Sequence, residues 1–223
     1  MNKIAIIMLA LAFGLAINAQ GQNKFAFGFE VAPHFSFASS NTQRVTNDGV
    51  AMGIKYGLRA DNFFGENYAF TSGLMISHTQ MNLQYQDSIL LKTVDDTYQL
   101  DKEAVVNYYI QYLEIPLGFK FQSREIGYFR VLFEGGFIPA IRLRQKAAVS
   151  DADIGKQELT EGITLFSTSY YFEGGMAYSL GASMALKVTA FYSSGTVDIT
   201  TDKDKRDDRI LRNEVGLKLG MFF

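Results

Sequence analysis

The sequence predicts an all-β fold: an eight-stranded antiparallel transmembrane β-barrel with short periplasmic turns and long outer loops. Three observations predict it. Eight stretches alternate between apolar and other residues, their charged residues fall on one alternate face, and short and long links follow one another between them. Because successive side chains of a strand point to opposite faces, each stretch offers one apolar face to lipid and one polar face to a lumen.

The first and last stretches show the alternation most clearly. In residues 24–38 the odd positions from Phe25 to Phe37 are apolar, whereas the even positions include Glu30 and His34. The last stretch repeats this pattern, with apolar residues against Arg212, Glu214 and Lys218. Alternation and turn residues together place the strands at residues 24–38, 50–60, 68–84, 105–121, 128–144, 167–181, 184–193 and 209–223.

The links orient the predicted barrel. Short links lie near residues 61–66, 122–127 and 181–183, and long polar links cover residues 39–49, 86–104, 145–166 and 194–208. In bacterial outer-membrane barrels the short turns are periplasmic and the long loops are external. Three prolines fall inside the predicted strands, and because proline lacks an N–H we expect a local β-bulge at each of Pro33, Pro116 and Pro139.

A soluble, lipocalin-like barrel is the main alternative fold, since it also has eight alternating strands but turns its apolar face inward. The number of large residues on the apolar face counts against it, because an eight-stranded interior barely accommodates its own side chains. For the same reason we expect no transport pore. The charged face predicts instead a polar network in the lumen, formed by Glu30, Lys55, Arg59, Glu114, Lys120, Arg130, Glu134 and Glu173.

The N-terminus predicts export. A basic start at Lys3 precedes an apolar run and a small-residue cleavage site before Gln20, so residues 1–19 are predicted to be a removed signal peptide and residues 20–223 a single barrel domain of the cell outer membrane. The apolar run is shorter than a membrane-spanning helix requires. A net charge of -2 gives no reason to expect nucleic acid as a partner, and the absence of cysteine excludes disulfides and thiol chemistry.

Few residues offer catalytic or metal-binding chemistry. His34 and Ser36 resemble the His-x-Ser element of lipid A deacylases, but both occupy the even positions that carry the charges of this strand and are therefore expected to face the lumen. His78 is interpreted as an interfacial histidine. Acidic residues of the predicted loops could attract divalent cations, although their spacing is not that of a calcium loop: Asp95, Asp96, Asp101, Asp151, Asp153 and Glu158. The mixed charges of residues 202–209 indicate a hydrated outer loop. We expect no enzyme activity, cofactor or metal site.

One segment carries a family resemblance. Residues 112–121 (YLEIPLGFKF) resemble the fourth-strand signature of the PorT-like outer-membrane β-barrel family of Bacteroidota, and residues 125–129, 135–139, 174–178 and 220–223 resemble its later motifs. The resemblance implies an eight-stranded outer-membrane barrel with no catalytic residue set. One branch of the family is a component of the type IX secretion and gliding machinery. The terminal Phe223 looks like the recognition signal for barrel assembly.

These observations predict an outer-membrane barrel with a structural or binding role through its outer loops. The expected partners are outer-membrane lipid and lipopolysaccharide, the barrel assembly machinery as a transient partner, and secretion-system subunits if the chain belongs to the PorT branch. Two alternative functions follow from the same residues. One is a PorT-like subunit of the type IX machinery, and the other is a lipid A-modifying hydrolase acting through His34 and Ser36.

Overall fold

A computed structural model describes residues 25–41, 44–94, 96–149, 154–160, 162–181, 184–199 and 209–223. The regular elements in these ranges are strands: β1 (Phe25–Ser40), β2 (Val45–Asn47), β3 (Ala51–Phe63), β4 (Tyr68–Tyr85), β5 (Ile89–Lys92), β6 (Thr97–Leu100), β7 (Val105–Glu114), β8 (Leu117–Gln122), β9 (Phe129–Val149), β10 (Ile154–Glu158), β11 (Phe166–Ser179), β12 (Ala185–Gly195) and β13 (Ile210–Phe222). The predicted signal peptide lies outside the described residues.

No helix within the described ranges is long and apolar enough to cross a membrane.

Eight strands close into a ring. β1 pairs with β3, β3 with β4, β4 with β7 and β8, these two with β9, and β9 with β11. The ring continues through β12 to β13, which pairs antiparallel with β1. Since β7 and β8 are two parts of one strand interrupted at Ile115 and Pro116, the predicted eight-stranded antiparallel barrel is confirmed.

The two faces of the sheet differ in exposure as the alternation of apolar and charged residues predicts. Phe119 and Phe137 on the outer surface are 67% and 60% exposed, whereas Lys55 and Arg59 in the lumen are 3% and 1% exposed. A lipocalin-like barrel would show the reverse arrangement. The apolar surface of this barrel therefore faces outward, as contact with lipid requires.

The predicted bulges at the prolines are wrong. The register of the flanking pairs is unbroken across Pro33, Pro116 and Pro139, so the sheet tolerates each missing N–H without an extra residue. Pro33 and Pro139 lie on the exposed outer face, whereas Pro116 is buried on the lumen side. At Pro116 the ladder is interrupted but resumes in the same register. The register of β7 against β9 shifts instead at Leu143, since Gln111 pairs with Arg144 but Tyr112 pairs with Arg142.

The outer segments contain more structure than long polar links would. β2 extends the sheet beside β4, β5 and β6 form a hairpin, and β10 pairs with the outer end of β9. Apolar side chains of these segments enter the mouth of the barrel, where Leu91 and Leu100 are 5% and 3% exposed. The outer end of the barrel thus has a hydrophobic core, because loop residues cover the inward side chains of the extended strands.

Candidate functional site

The lower half of the lumen, nearer the periplasmic turns, holds a fully buried cluster of charges. We call it the lower cluster, and its members are Glu30, Arg59, Glu134, Glu173, Lys187 and Lys218. Lys187 Nζ lies 2.8 Å from Glu30 Oε1 and 2.6 Å from Glu173 Oε1. Arg59 donates to Glu134, which also accepts hydrogen bonds from Thr71 and Tyr171. Each buried charge is therefore offset by an opposite charge, as burial requires.

A second group of charges lies nearer the outer loops. In this upper cluster Lys55 Nζ lies 2.8 Å from Glu114 Oε2 and 2.6 Å from Glu214 Oε2. Arg212 extends from β13 to Glu114 on β7, the strand on the opposite side of the ring, at 3.1 Å. His34 Nε2 lies 3.7 Å from Glu214 Oε1. These side chains bridge the full width of the lumen.

Charge is balanced within these described interior groups. The lower cluster pairs three cations with three anions, and the upper cluster, His34 aside, pairs two with two. A separate pair, Lys120 and Asp61, lies closer to the periplasmic end with its atoms 2.6 Å apart. A neutral, filled interior provides a polar core and gives no preference for ions of either sign.

The structure places seven of the eight predicted lumen residues in these buried clusters and pairs. The exception is Arg130, which lies at the periplasmic rim, where its half-exposed side chain contacts Glu125 at 2.5 Å. Alternation turns the Arg130 side chain inward, but Arg130 is the second residue of β9 and therefore lies at the periplasmic rim of the barrel. Tyr171 belongs to the network through its hydrogen bond to Glu134, although the sequence pattern does not identify it, since alternation marks charged residues more clearly than a phenol. The Tyr171 hydroxyl lies so close to Gly118 that a Cβ atom at this position would overlap it.

The geometry does not assemble a catalytic pair from His34 and Ser36. His34 Nε2 lies 3.0 Å from Thr79 Oγ1, whereas the Ser36 hydroxyl donates to the backbone carbonyl groups of Ala51 and Gln80. Both side chains are buried in the lumen, away from the lipid-facing surface. A serine without a base and without access to an acyl chain cannot attack a lipid ester.

The other predicted sites are also separate. His78 lies on the outer surface and stacks on Tyr56, with ring centroids 5.9 Å apart. Of the predicted loop acids, Asp96, Asp101 and Glu158 are among the described residues, and within the described part of the chain no three His, Cys, Asp or Glu side chains could hold a metal together. Asp95, Asp151, Asp153 and residues 202–208 lie outside the described residues.

The outer end of the lumen is closed by what we call the outer cap, the apolar core beneath the loops. Its fully or nearly buried members are Ala38, Val45, Met81, Leu83, Leu91, Leu100, Ala104, Val106, Tyr108, Ile110, Tyr112, Ala140, Ala147, Val149, Leu159, Ile163, Ile199 and Ile210. Arg142 ties a loop to the barrel by donating to the Ile163 carbonyl and, at 2.6 Å, to Gln145 Oε1. The described segments of the outer loops are therefore folded onto the outer end of the barrel.

The periplasmic end is open by contrast. A vestibule of about 740 Å³ lies inside the ring of short turns. Its inner end is formed by Phe222, whose ring has Lys120 Nζ 5.2 Å and Lys187 Nζ 5.6 Å from its centroid. Asp61, Lys120 and Lys187 line the vestibule, so water can enter from this side as far as the edge of the lower cluster, and the remaining charges above it close the lumen.

A family model described as outer membrane protein beta-barrel domain matches residues 18–221. No curated protein shows a significant match to the chain. Among solved structures, the attachment invasion locus protein Ail of Yersinia pestis, in complex with the heparin analogue sucrose octasulfate, aligns at 15% identity over 90% of this chain and 99% of that one, with a TM-score of 0.40. OprG from Pseudomonas aeruginosa aligns at 13% identity over 92% and 98% of the two chains, TM-score 0.46. The outer membrane protease OmpT from Escherichia coli aligns at 8% identity over 90% and 96%, TM-score 0.44.

Proposed function

Since the chain belongs to the outer membrane protein beta-barrel domain family, we propose that it serves in the outer membrane as a closed barrel, with a structural or binding role at its outer end and no solute transport through the lumen. We further propose that its signal peptide is removed on export and that it has no enzyme activity. The single observation that carries the proposal is the filled lumen. Arg212 reaches Glu114 on the opposite strand, so that side chains occupy the space a pore would need.

The outer cap supports a binding or structural role. Leu91, Leu100 and Leu159 of the loop segments are buried in the outer cap, and their burial restrains the described loop residues beside them. A surface fixed before binding loses less conformational entropy when a partner binds. The vestibule at the opposite end is open but ends at the charge clusters, so it does not provide a path through the barrel.

Assignment of the chain to the PorT-like branch rests on sequence resemblance alone. Residues 112–121 resemble the PorT-like branch, and a role in the type IX secretion machinery remains a prediction from that segment. Among the described residues, contacts inside the lumen explain why Tyr112, Glu114 and Lys120 are buried. Their burial therefore gives no support for a contact with a secretion partner. The lipid A hydrolase alternative is not favoured, because Ser36 lacks a base.

Electrical recording tests the closed lumen. The full chain, refolded and inserted into a planar bilayer, is expected to give no steady conductance. The neutral variant R59S/E114S/E134S/R212S, which removes two cations and two anions that fill the lumen, is expected to give small steady steps and so shows that an opened barrel would be detected. A stable conductance step with every insertion of the wild-type protein would contradict the proposal.

A further inference from the structure

The outer boundary of the lipid-facing surface crosses three neighbouring strands in register. On β4, β7 and β9 the residues Ile76, Leu113 and Ile141 are cross-strand neighbours and form the last complete apolar row, beyond which the bulged residue Leu143 of β9 is also exposed. The next row beyond them consists of His78, Gln111 and Arg144, and the row after it of Gln80, Tyr109 and Lys146. Because the change from apolar to polar occurs at the same level on all three strands, it marks the edge of the lipid-contacting band.

The shift at Leu143 decides which residues follow that edge. Arg142 points toward the lumen and binds the cap, and without the extra residue the alternation would also turn Arg144 and Lys146 inward. With Leu143 inserted, the side chains of Arg144 and Lys146 are turned to the outer face instead, and Arg144 is 62% exposed. The bulge therefore creates an outward-facing cationic surface where the rest of the strand would have none.

Three cations meet on this surface. Lys156 of β10 lies over the outward ring of Tyr109, with its Nζ 3.9 Å from the ring centroid. Glu158 is the one acid among them in the described part of the chain, and its Oε1 lies 3.3 Å from Arg144 Nε and 4.0 Å from Lys146 Nζ. We call Arg144, Lys146, Lys156, Tyr109 and Glu158 the Arg144 patch. Three positive charges against one negative charge leave it cationic.

The position of the patch selects its ligand. A strand advances about 3.3 Å per residue, so Arg144 lies about 7 Å and Lys146 about 13 Å along the strand beyond the last apolar row. The patch faces sideways, level with the headgroups of the outer leaflet. We infer that the Arg144 patch binds the phosphorylated headgroup of lipid A in lipopolysaccharide, an inference that rests on the proposed outer-membrane orientation. Arginine and lysine bind phosphate oxygens through charge-assisted hydrogen bonds.

The inference is tested with the full refolded chain in detergent, titrated with lipid A that carries both phosphates. The variant R144Q/K146Q/K156Q removes the three cations and is expected to bind about a hundredfold more weakly, because each basic residue near an anionic membrane surface contributes about fivefold. The control R44Q/K102Q/R124Q changes net charge equally but lies outside the patch, and its affinity is expected to equal that of the wild type. Added NaCl is expected to weaken wild-type binding.

Three further arms distinguish the outcomes. Lipid A without its phosphates is expected to bind the wild type no better than the patch variant does. E158Q, which removes the one acid, is expected to bind phosphorylated lipid A more tightly and remains informative if the triple variant does not fold. Equal affinity of the patch and control variants would overturn the inference, as would soluble pyrophosphate competing fully at equal concentration. A conducting wild-type barrel would refute the proposed function while leaving this binding result unaffected.

Discussion

Among single residues, Glu134 shows how completely a buried charge is compensated in this lumen. It is fully buried, and it accepts hydrogen bonds from Arg59, Thr71 and Tyr171. Asp61 is also buried but has one ionic partner, Lys120, and both line the vestibule. Loss of Glu134 removes the nearest ionic partner of Arg59 and leaves Glu30 at 3.8 Å, deep in the lumen. Loss of Asp61, by contrast, leaves Lys120 at the wall of the vestibule, where water can reach it.

Glu134→Gln is therefore expected to cost about 3–5 kcal/mol of unfolding free energy, the range for breaking a buried ion pair. Asp61→Asn is expected to cost less, about 1–2 kcal/mol, because water in the vestibule can hydrate the Lys120 ammonium group that is left without its carboxylate. Urea unfolding of each variant in lipid vesicles, with K120M and D61N/K120M completing a double-mutant cycle, measures both values. Equal losses for E134Q and D61N would contradict the view that depth in the lumen determines the cost.

Parity could predict which residues enter the lumen but not which of them pair. The inward positions of Glu30, Lys55 and Glu114 follow from alternation within one strand. Their partners depend on how far each strand is displaced along its neighbour, a property of the closed ring that one segment does not contain. Arg130 illustrates the difference, because its parity is inward but its place at the end of β9 puts it at the rim.

Among elements, the β5–β6 hairpin and the bulge in β9 were the hardest to predict. Each strand of the hairpin has four residues, too few for alternation to distinguish it from an irregular loop. The bulge lies between Arg142 and Arg144, and since both are charged at alternate positions they fit an unbroken strand equally well. The eight long strands, by contrast, contain enough residues for the pattern to locate them.

The hairpin offers a matched pair of substitutions. Leu91 is 5% exposed in the outer cap, and its neighbour Leu90 is 63% exposed on the other face. Leu91→Asp is expected to loosen the cap, since it places a charge among apolar side chains, and to make the outer loops sensitive to protease added to intact cells. The measurement is the rate of loop cleavage on cells that express each variant.

Leu90→Asp is the control and is expected to be cleaved at the wild-type rate. Both variants are expected to keep heat-modifiable gel migration, because the transmembrane ring does not depend on the cap. If L91D were as resistant as L90D, the outer cap would not hold the loops in place.

At the level of the whole molecule, closure of the ring depends on the pairing of β1 with β13. The backbone of Phe223 pairs with that of Phe27, and its N–H donates to the Phe27 carbonyl at 2.7 Å. The Phe223 side chain is 55% exposed and remains available to other proteins. The prediction that it is a barrel-assembly signal therefore concerns the side chain, while its backbone completes the join between β13 and β1.

Phe223→Ser is expected to lower the amount of folded protein in the outer membrane several-fold, because the backbone pairing persists but the aromatic signal is lost. Phe121→Ser removes an aromatic residue of similar exposure from β8 and serves as the control. Quantification of the heat-modifiable band in outer-membrane fractions measures both. Similar amounts of F223S and F121S would count against a specific role for the terminal residue.

The interior ion pairs also have a consequence for folding kinetics. Lys187 and Glu30 are 157 residues apart in sequence, and Arg212 and Glu114 are 98 apart; the hydrogen bond from Thr79 to Glu214 joins residues 135 apart. Contacts of such separation form late and slow folding, because the loop-closure entropy is lost before they are made. Until the last strand docks, the charges of the future lumen remain hydrated. The charged residues that fill the closed barrel thus help to keep the chain soluble before β13 pairs with β1.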